Sequence, residues 1–148
     1  MKKLIINHYA VFAATIVTQL VRPLWYDYAF FGLRWMELNK LKEEDFAHFN
    51  MAIGLGVAFL SGLLATYAMA WLFTKLNVDT GLKGMKYAFA IWICFRLFEV
   101  TTQNYFSLRP FDLTIMDETA VLMQYQIIGV LLGIWRKYEK GEDEVTSK

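Results

Sequence analysis

The chain has a single cysteine, Cys94, so it closes no disulfide within itself, and a small extracellular domain stapled by several bridges is excluded. It has two prolines and two histidines, too few for a proline-rich linker or a histidine-built metal centre. Charge is scarce as well: 20% of residues carry it, below the roughly 25% of ordinary soluble domains. Neither sign dominates, since 15 basic residues face 14 acidic ones, and the basic excess that nucleic-acid binding needs is missing. What remains is apolar: 57% of the 148 residues are hydrophobic, 17% are aromatic, and mean hydropathy is +0.33. A soluble domain of about 150 residues buries only about 70% of the surface its unfolded chain exposes. This composition leaves too much apolar surface for water, and lipid is the solvent that suits it.

A membrane-crossing helix needs roughly 20 mainly apolar residues. Four stretches approach that length. Residues 51–73 are uncharged and rich in Leu, Ala and Gly, ending at Lys75. Residues 4–21 are uncharged but polar for a span, with Asn7, His8, Thr15, Thr18 and Gln19. The competing reading of this stretch is a cleavable signal segment, since Met1-Lys2-Lys3 precedes it, but Asn7 and His8 interrupt the apolar run, and a retained helix is the better fit. Residues 119–135 are short, with Asp117 and Glu118 expected at the headgroups. Residues 87–108 carry Arg96 and Glu99 at their centre. A central Arg costs about 2.5 to 3.5 kcal/mol and the Glu a similar amount, while the flanking apolar residues return about 0.3 to 0.6 kcal/mol each. That segment is marginal alone and crosses only with its charged face turned toward sister helices. The expected fold is thus an all-α membrane protein, four transmembrane helices in a bundle forming one domain over residues 1–138. Residues 139–148 read as a charged, disordered cytoplasmic tail.

Lys and Arg set the orientation. Lys2, Lys3, Lys75, Lys83, Lys86, Arg136, Lys137, Lys140 and Lys148 fall on one side, and Arg22, Arg34, Lys40, Lys42 and Arg109 on the other. The richer side is cytoplasmic by the positive-inside rule, so both termini face the cytoplasm of an inner membrane. Between the first two spans, Trp25, Tyr26, Tyr28 and Trp35 with Phe30 and Phe31 form an aromatic interfacial segment, or alternatively a lid over the bundle. Pro23 ends the first helix before it. Glu43-Glu44-Asp45 reads as the acidic first turn of the helix that continues into the second span.

Arg96 and Glu99 are three apart, so on an α-helix they share a face and pair. With Gln103, Gln19 and Gln124 they are expected to form a buried polar cluster in the outer half of the membrane, and on the first span His8, Thr15, Gln19 and Arg22 fall on one stripe. Two readings compete for this cluster. One is structural, with charges neutralising each other to fix helix packing. The other is a path or pocket for a small solute or ion. Gly129 and Gly133, and Gly54, Ala58 and Gly62, repeat small residues every fourth position, a face for close helix packing within or between chains. No catalytic set, cofactor motif or metal-ligand spacing is recognisable. Glu44 and His48 are four apart, but no second Glu-x-x-His accompanies them.

Asn7-His8-Tyr9-Ala10-Val11, Leu24-Trp25-Tyr26, Phe31-Gly32 with Trp35-Met36, Glu43-Glu44-Asp45, and Asp117 before a final span ending Gly133-Ile134-Trp135 resemble the small bacterial integral membrane proteins of domain-of-unknown-function family 1761. The resemblance covers nearly the whole chain and implies four membrane helices and no assigned activity. This chain departs from it where Asp27-Tyr28 stand in place of Ser-Pro. Two functions are therefore carried forward. One is a packing or accessory subunit, in a homo-oligomer or a larger membrane complex. The other is a small-solute or ion binder or transporter with an outward-facing polar pocket.

Overall fold

A computed structural model describes residues 3–139, and it is all-helical apart from one small pair of strands. The charged tail expected from residue 139 onward lies, beyond Glu139, outside the described residues. Helix α1 (His8–Gln19) starts where the Asn7 side chain accepts the Ala10 N–H, supplying one of the bonds a helix start lacks. Pro23 then breaks the rod, because proline has no N–H to give the Gln19 carbonyl and its ring crowds it. The chain resumes as the short α2 (Val21–Trp25). A separate helix α3 (Gly32–Asn39) follows, capped at its end by Lys40 in the left-handed region at φ 56°. The acidic run Glu43–Phe46 forms only a 3-10 turn, and α4 (Met51–Lys75) begins independently, with Asn50 accepting the Ile53 N–H. The expected continuous helix from Glu43 is therefore corrected to two pieces.

The third rod begins earlier than expected, at α5 (Gly81–Trp92), capped by Thr80. It passes through a π-helical turn (Ile93–Leu97) into α6 (Phe98–Phe106). Helix α7 (Phe111–Ile134) also starts well before residue 119. Asp112, Asp117 and Glu118 thus lie within the helix rather than at its entrance. Leu4–Ile5, expected to open the first span, instead form β1, which pairs antiparallel with β2 (Lys137–Tyr138). Asn7 closes the same end by donating to the Trp135 carbonyl at 3.2 Å.

The core is a seam along which α1 lies between α4 and α7, with α5 against the far side of α7. Ala10, Val11 and Ala14 of α1 meet Met69, Ala70 and Phe73 of α4 and Ile128 and Leu132 of α7. The α5–α7 contact is the most extensive. There Gly129 and Gly133 act as expected, but their partners are Gly84, Ala88 and the Thr80–Gly81 backbone. A Cβ on Gly129 would stand 2.6 Å from the Gly84 carbonyl oxygen and 2.7 Å from the Ala88 Cβ. By contrast, α4 is apolar almost throughout yet little buried. Its most apolar stretch has mean hydropathy 1.8 with 6% of it buried, and Ile53, Leu60 and Leu64 are among its exposed side chains. Among the described residues, α4 and α7 are long and apolar enough to cross a membrane. At about 1.5 Å per residue each is about 36 Å long or slightly more.

Two predictions follow from this packing. Gly129→Val drives methyl groups into backbone that cannot yield, so it should lower stability by about 1–3 kcal/mol. Gly56→Ala, with nothing within 4 Å of the added carbon, should leave the thermal midpoint in detergent unchanged or raised. A Gly129→Val midpoint equal to wild type would contradict the close approach. In the α4–α5 turn, Lys83 lies 2.6 Å from Asp79, and this hydrogen-bonded ion pair holds the Asp79 carboxyl below its ordinary 3.8. A depressed carboxylate stabilises the fold above that value and loses its contribution as pH falls through the lower, folded one. The stability difference between wild type and Asp79→Asn, followed by thermal melts, should be present at pH 7 and close on acidification below 3.8.

Candidate functional site

Among the described residues the one strongly buried charge is Glu118, whose side chain is 1% exposed on the stripe of α7 that also carries Leu113, Thr114 and Val121 inward. A carboxylate there is costly unless it is paired and hydrogen-bonded. Arg96 meets that demand: its Nε lies 3.1 and 3.4 Å from the two carboxylate oxygens, and its Nη2 is 3.1 Å from Oε1. The expected Arg96–Glu99 pair is therefore corrected to Arg96–Glu118. The cause is local. Arg96 sits in the π-helical turn, which is wider than an α turn, so three residues no longer bring Glu99 round beneath Arg96. Glu99 is exposed, and so is Gln103, which leaves the expected cluster too. Next to this pair, the buried Asn104 donates to the Thr114 hydroxyl at 2.9 Å and ties α6 to α7.

The Arg96 side chain is 40% exposed, and its open side faces a cavity of about 420 Å³. Four parts of the chain enclose it. Thr18, Gln19 and Arg22 come from the broken end of α1 and from α2. Gly54, Ala58, Ser61 and Gly62 come from α4. Arg96 comes from the π turn, and Val121, Gln124, Tyr125 and Ile128 from α7. The structure thus brings Gln19, Gln124 and Arg96 to one cleft, with Arg22. Gln124 reaches across to donate to the Thr18 carbonyl at 3.0 Å, at the point where α1 loses its regular bonding. Gln19 donates to the Ala58 carbonyl at 3.4 Å, and its nitrogen would lie 2.9 Å from a Cβ on Gly62. Gly54, Ala58 and Gly62 therefore form the wall of a cleft instead of a helix-on-helix contact like that of Gly129. Among the described residues, two arginines line this cleft and no carboxylate does.

Over the same end of the molecule the aromatic segment folds onto α7. The Tyr26 hydroxyl donates to Asp117 at 2.6 Å, Tyr26 packs on Trp35 at 5.3 Å between ring centroids, and Trp25 packs on Phe31 at 4.5 Å. Burial first, and then the bond to Asp117, push the Tyr26 hydroxyl well above its ordinary value, while the Arg22 charge works against the shift. Tyr28 instead reaches Glu43 at 3.2 Å, and Arg34 reaches Asp112 at 3.5 Å. Sequence reasoning missed Glu118, Asp117 and Gly84. Two of them had a signal: Thr114, Glu118, Val121 and Tyr125 follow helical spacing, and Gly84 precedes Ala88 by four.

Removing one member of a buried pair strands the other, typically at about 3–5 kcal/mol. Because Arg96 is partly open, Arg96→Met should cost about 3 kcal/mol, the lower end of that range. Arg96→Met with Glu118→Gln should recover most of it, and Glu99→Gln should be close to neutral. Thermal melts in detergent separate the cases. A large loss from Glu99→Gln would restore the pairing that the π turn rules out.

Comparison with known proteins bears on the whole of this architecture. No curated protein and no solved structure is detectably similar to the chain. A family model does match it over residues 9–133, which takes in α1, the aromatic segment, the cleft and nearly all of α7. The chain belongs to the DUF1761 family, described as proteins of unknown function.

Proposed function

We propose that this is a multi-pass protein of the bacterial inner membrane, with four spans and both termini cytoplasmic, that binds a small solute in the cleft between its helices. The observation that carries the reading is the cleft itself. Its polar lining of Gln19, Arg22, Arg96 and Gln124 lies between helices whose outer faces are apolar. Polar and ionisable groups at such depth are costly and mark solute or ion sites by default. Four spans are supported by the alternating direction of α1, α4, the α5–α6 rod and α7, and by lengths near or above the roughly 30 Å of hydrocarbon for the last three. The paired β1 and β2 hold the two ends on one side, as an even number of crossings requires. The excess of Lys and Arg on that side favours the cytoplasm. The cleft then faces outward, under the aromatic segment, whose Trp25, Tyr28 and Trp35 suit the headgroup region.

The accessory-subunit reading, in a homo-oligomer or a larger membrane complex, draws on one observation, the exposed apolar face of α4. Lipid alone satisfies that face, so the solute reading stands first.

Thiol labelling tests the arrangement in intact cells on a Cys94→Ala background. Ser61→Cys, in the cleft, and Leu108→Cys should react with a membrane-impermeant methanethiosulfonate added outside. Lys83→Cys should react only after permeabilisation, and Leu64→Cys, on the outer apolar face, should stay unlabelled. Labelling of positions 83 and 108 from one side would overturn the topology, and a Ser61→Cys inert from both sides would overturn the cleft.

A further inference from the structure

We infer that the solute is a compact organic anion carrying one carboxylate, held between Arg22 and Arg96; this rests on the cleft reading above and names its ligand. The charges are arranged in two layers. Lining the cavity are Arg22 and Arg96. Behind them, out of the lining, Glu118 is bound by Arg96, and Asp117 is bound by the Tyr26 hydroxyl. A cation entering the cleft meets arginine on two sides and no acid. A neutral solute leaves the Arg22 guanidinium without a charged partner.

The donors fit an oxyanion. Among the described residues, Arg22 pairs with no carboxylate, and Arg96 uses Nε and Nη2 on Glu118, leaving Nη1 without a hydrogen-bond partner there. Guanidinium groups match a planar carboxylate through paired N–H donors, which a lysine does not. Glu118 and Asp117 behind the two arginines balance their charge, which suits a singly charged ligand better than a dianionic phosphate. Both carboxamide nitrogens are engaged on backbone carbonyls, so the Oε1 atoms of Gln19 and Gln124 remain as acceptors for a hydroxyl or amine on the ligand. Val57, Val121 and Ile128 supply an apolar wall for its carbon skeleton. A volume of about 420 Å³ is that of a small-molecule site.

The test uses the full chain in phosphatidylcholine nanodiscs with butyrate and octanoate as probes, butyramide and octanamide as neutral isosteres, and inorganic phosphate as a competing anion. Ligand binding to the folded state raises the thermal midpoint in proportion to occupancy. The carboxylates should raise it and the amides should not, and the effect of phosphate should be the smaller at equal concentration. A response to butyrate assigns a water-borne acid, whereas a response to octanoate alone assigns an acid drawn from the bilayer. Arg22→Met should weaken carboxylate binding at least tenfold while leaving the unliganded midpoint near wild type. Since Arg96→Met strands Glu118, the Arg96→Met/Glu118→Gln variant is used for the second arginine and should weaken binding likewise. Equal binding of acid and amide, tighter binding of phosphate, an Arg22→Met affinity equal to wild type, or no shift with either acid would each overturn the inference. If Ser61→Cys is still labelled from outside in that event, the cleft stands and only its ligand is wrong.

Discussion

The ion pair between Arg96 and Glu118 governs how the third and fourth rods meet. Glu118 is buried to 1% on the inner stripe of α7, so its partner must be delivered at one height and one angle. The π turn makes that delivery. An ordinary α turn at residues 93–97 would direct Arg96 elsewhere and leave an unpaired carboxylate in an apolar seam, a state that costs several kcal/mol. The wider turn therefore has a specific electrostatic cause. Below it the same two rods touch backbone to backbone through Gly84 and Gly129, which leaves little freedom to slide. Glycine contact and ion pair together set the register of α5–α6 on α7, and that register places Arg96 on the cavity.

The other wall follows from a different constraint. Pro23 interrupts the hydrogen bonding of α1 near Gln19, and close by Gln124 of α7 donates to the Thr18 carbonyl. A helix with a broken end needs small neighbours, and Gly54, Ala58 and Gly62 provide them on α4. The result is space instead of contact. The glutamines that a purely structural view treats as packing glue serve both ends, since one polar end of each amide closes the backbone and the other remains open.

Composition and apolar run length were enough to identify an all-helical chain and to place α4 within two residues of its observed end, because that helix is uniform and its ends are marked by Asn50 and Lys75. Three cleft residues, Gln19, Arg96 and Gln124, were legible because polar groups inside apolar helices have few alternatives to an interior face. Gly129 and Gly133 were legible for the same reason of scarcity. The pairing of Arg96 was not, since spacing rules assume 3.6 residues per turn and the chain departs from that value at the residue in question. The start of α7 was not legible either: a rule that ends spans at charges stops at Glu118, whereas the helix carries that charge inward and neutralises it. Local periodicity reports which face a residue occupies, but not which neighbour waits there.

The antiparallel clasp of Leu4–Ile5 with Lys137–Tyr138, and the seating of α1 against both α4 and α7, have a consequence for biogenesis. The first helix leaves the ribosome long before either neighbour exists, and its Asn, His, Thr and Gln side chains make it a poor resident of lipid by itself. Its seat is complete only once α7 has been made and Leu4–Ile5 can pair with Lys137–Tyr138. The contacts of α1 are therefore among the last to close.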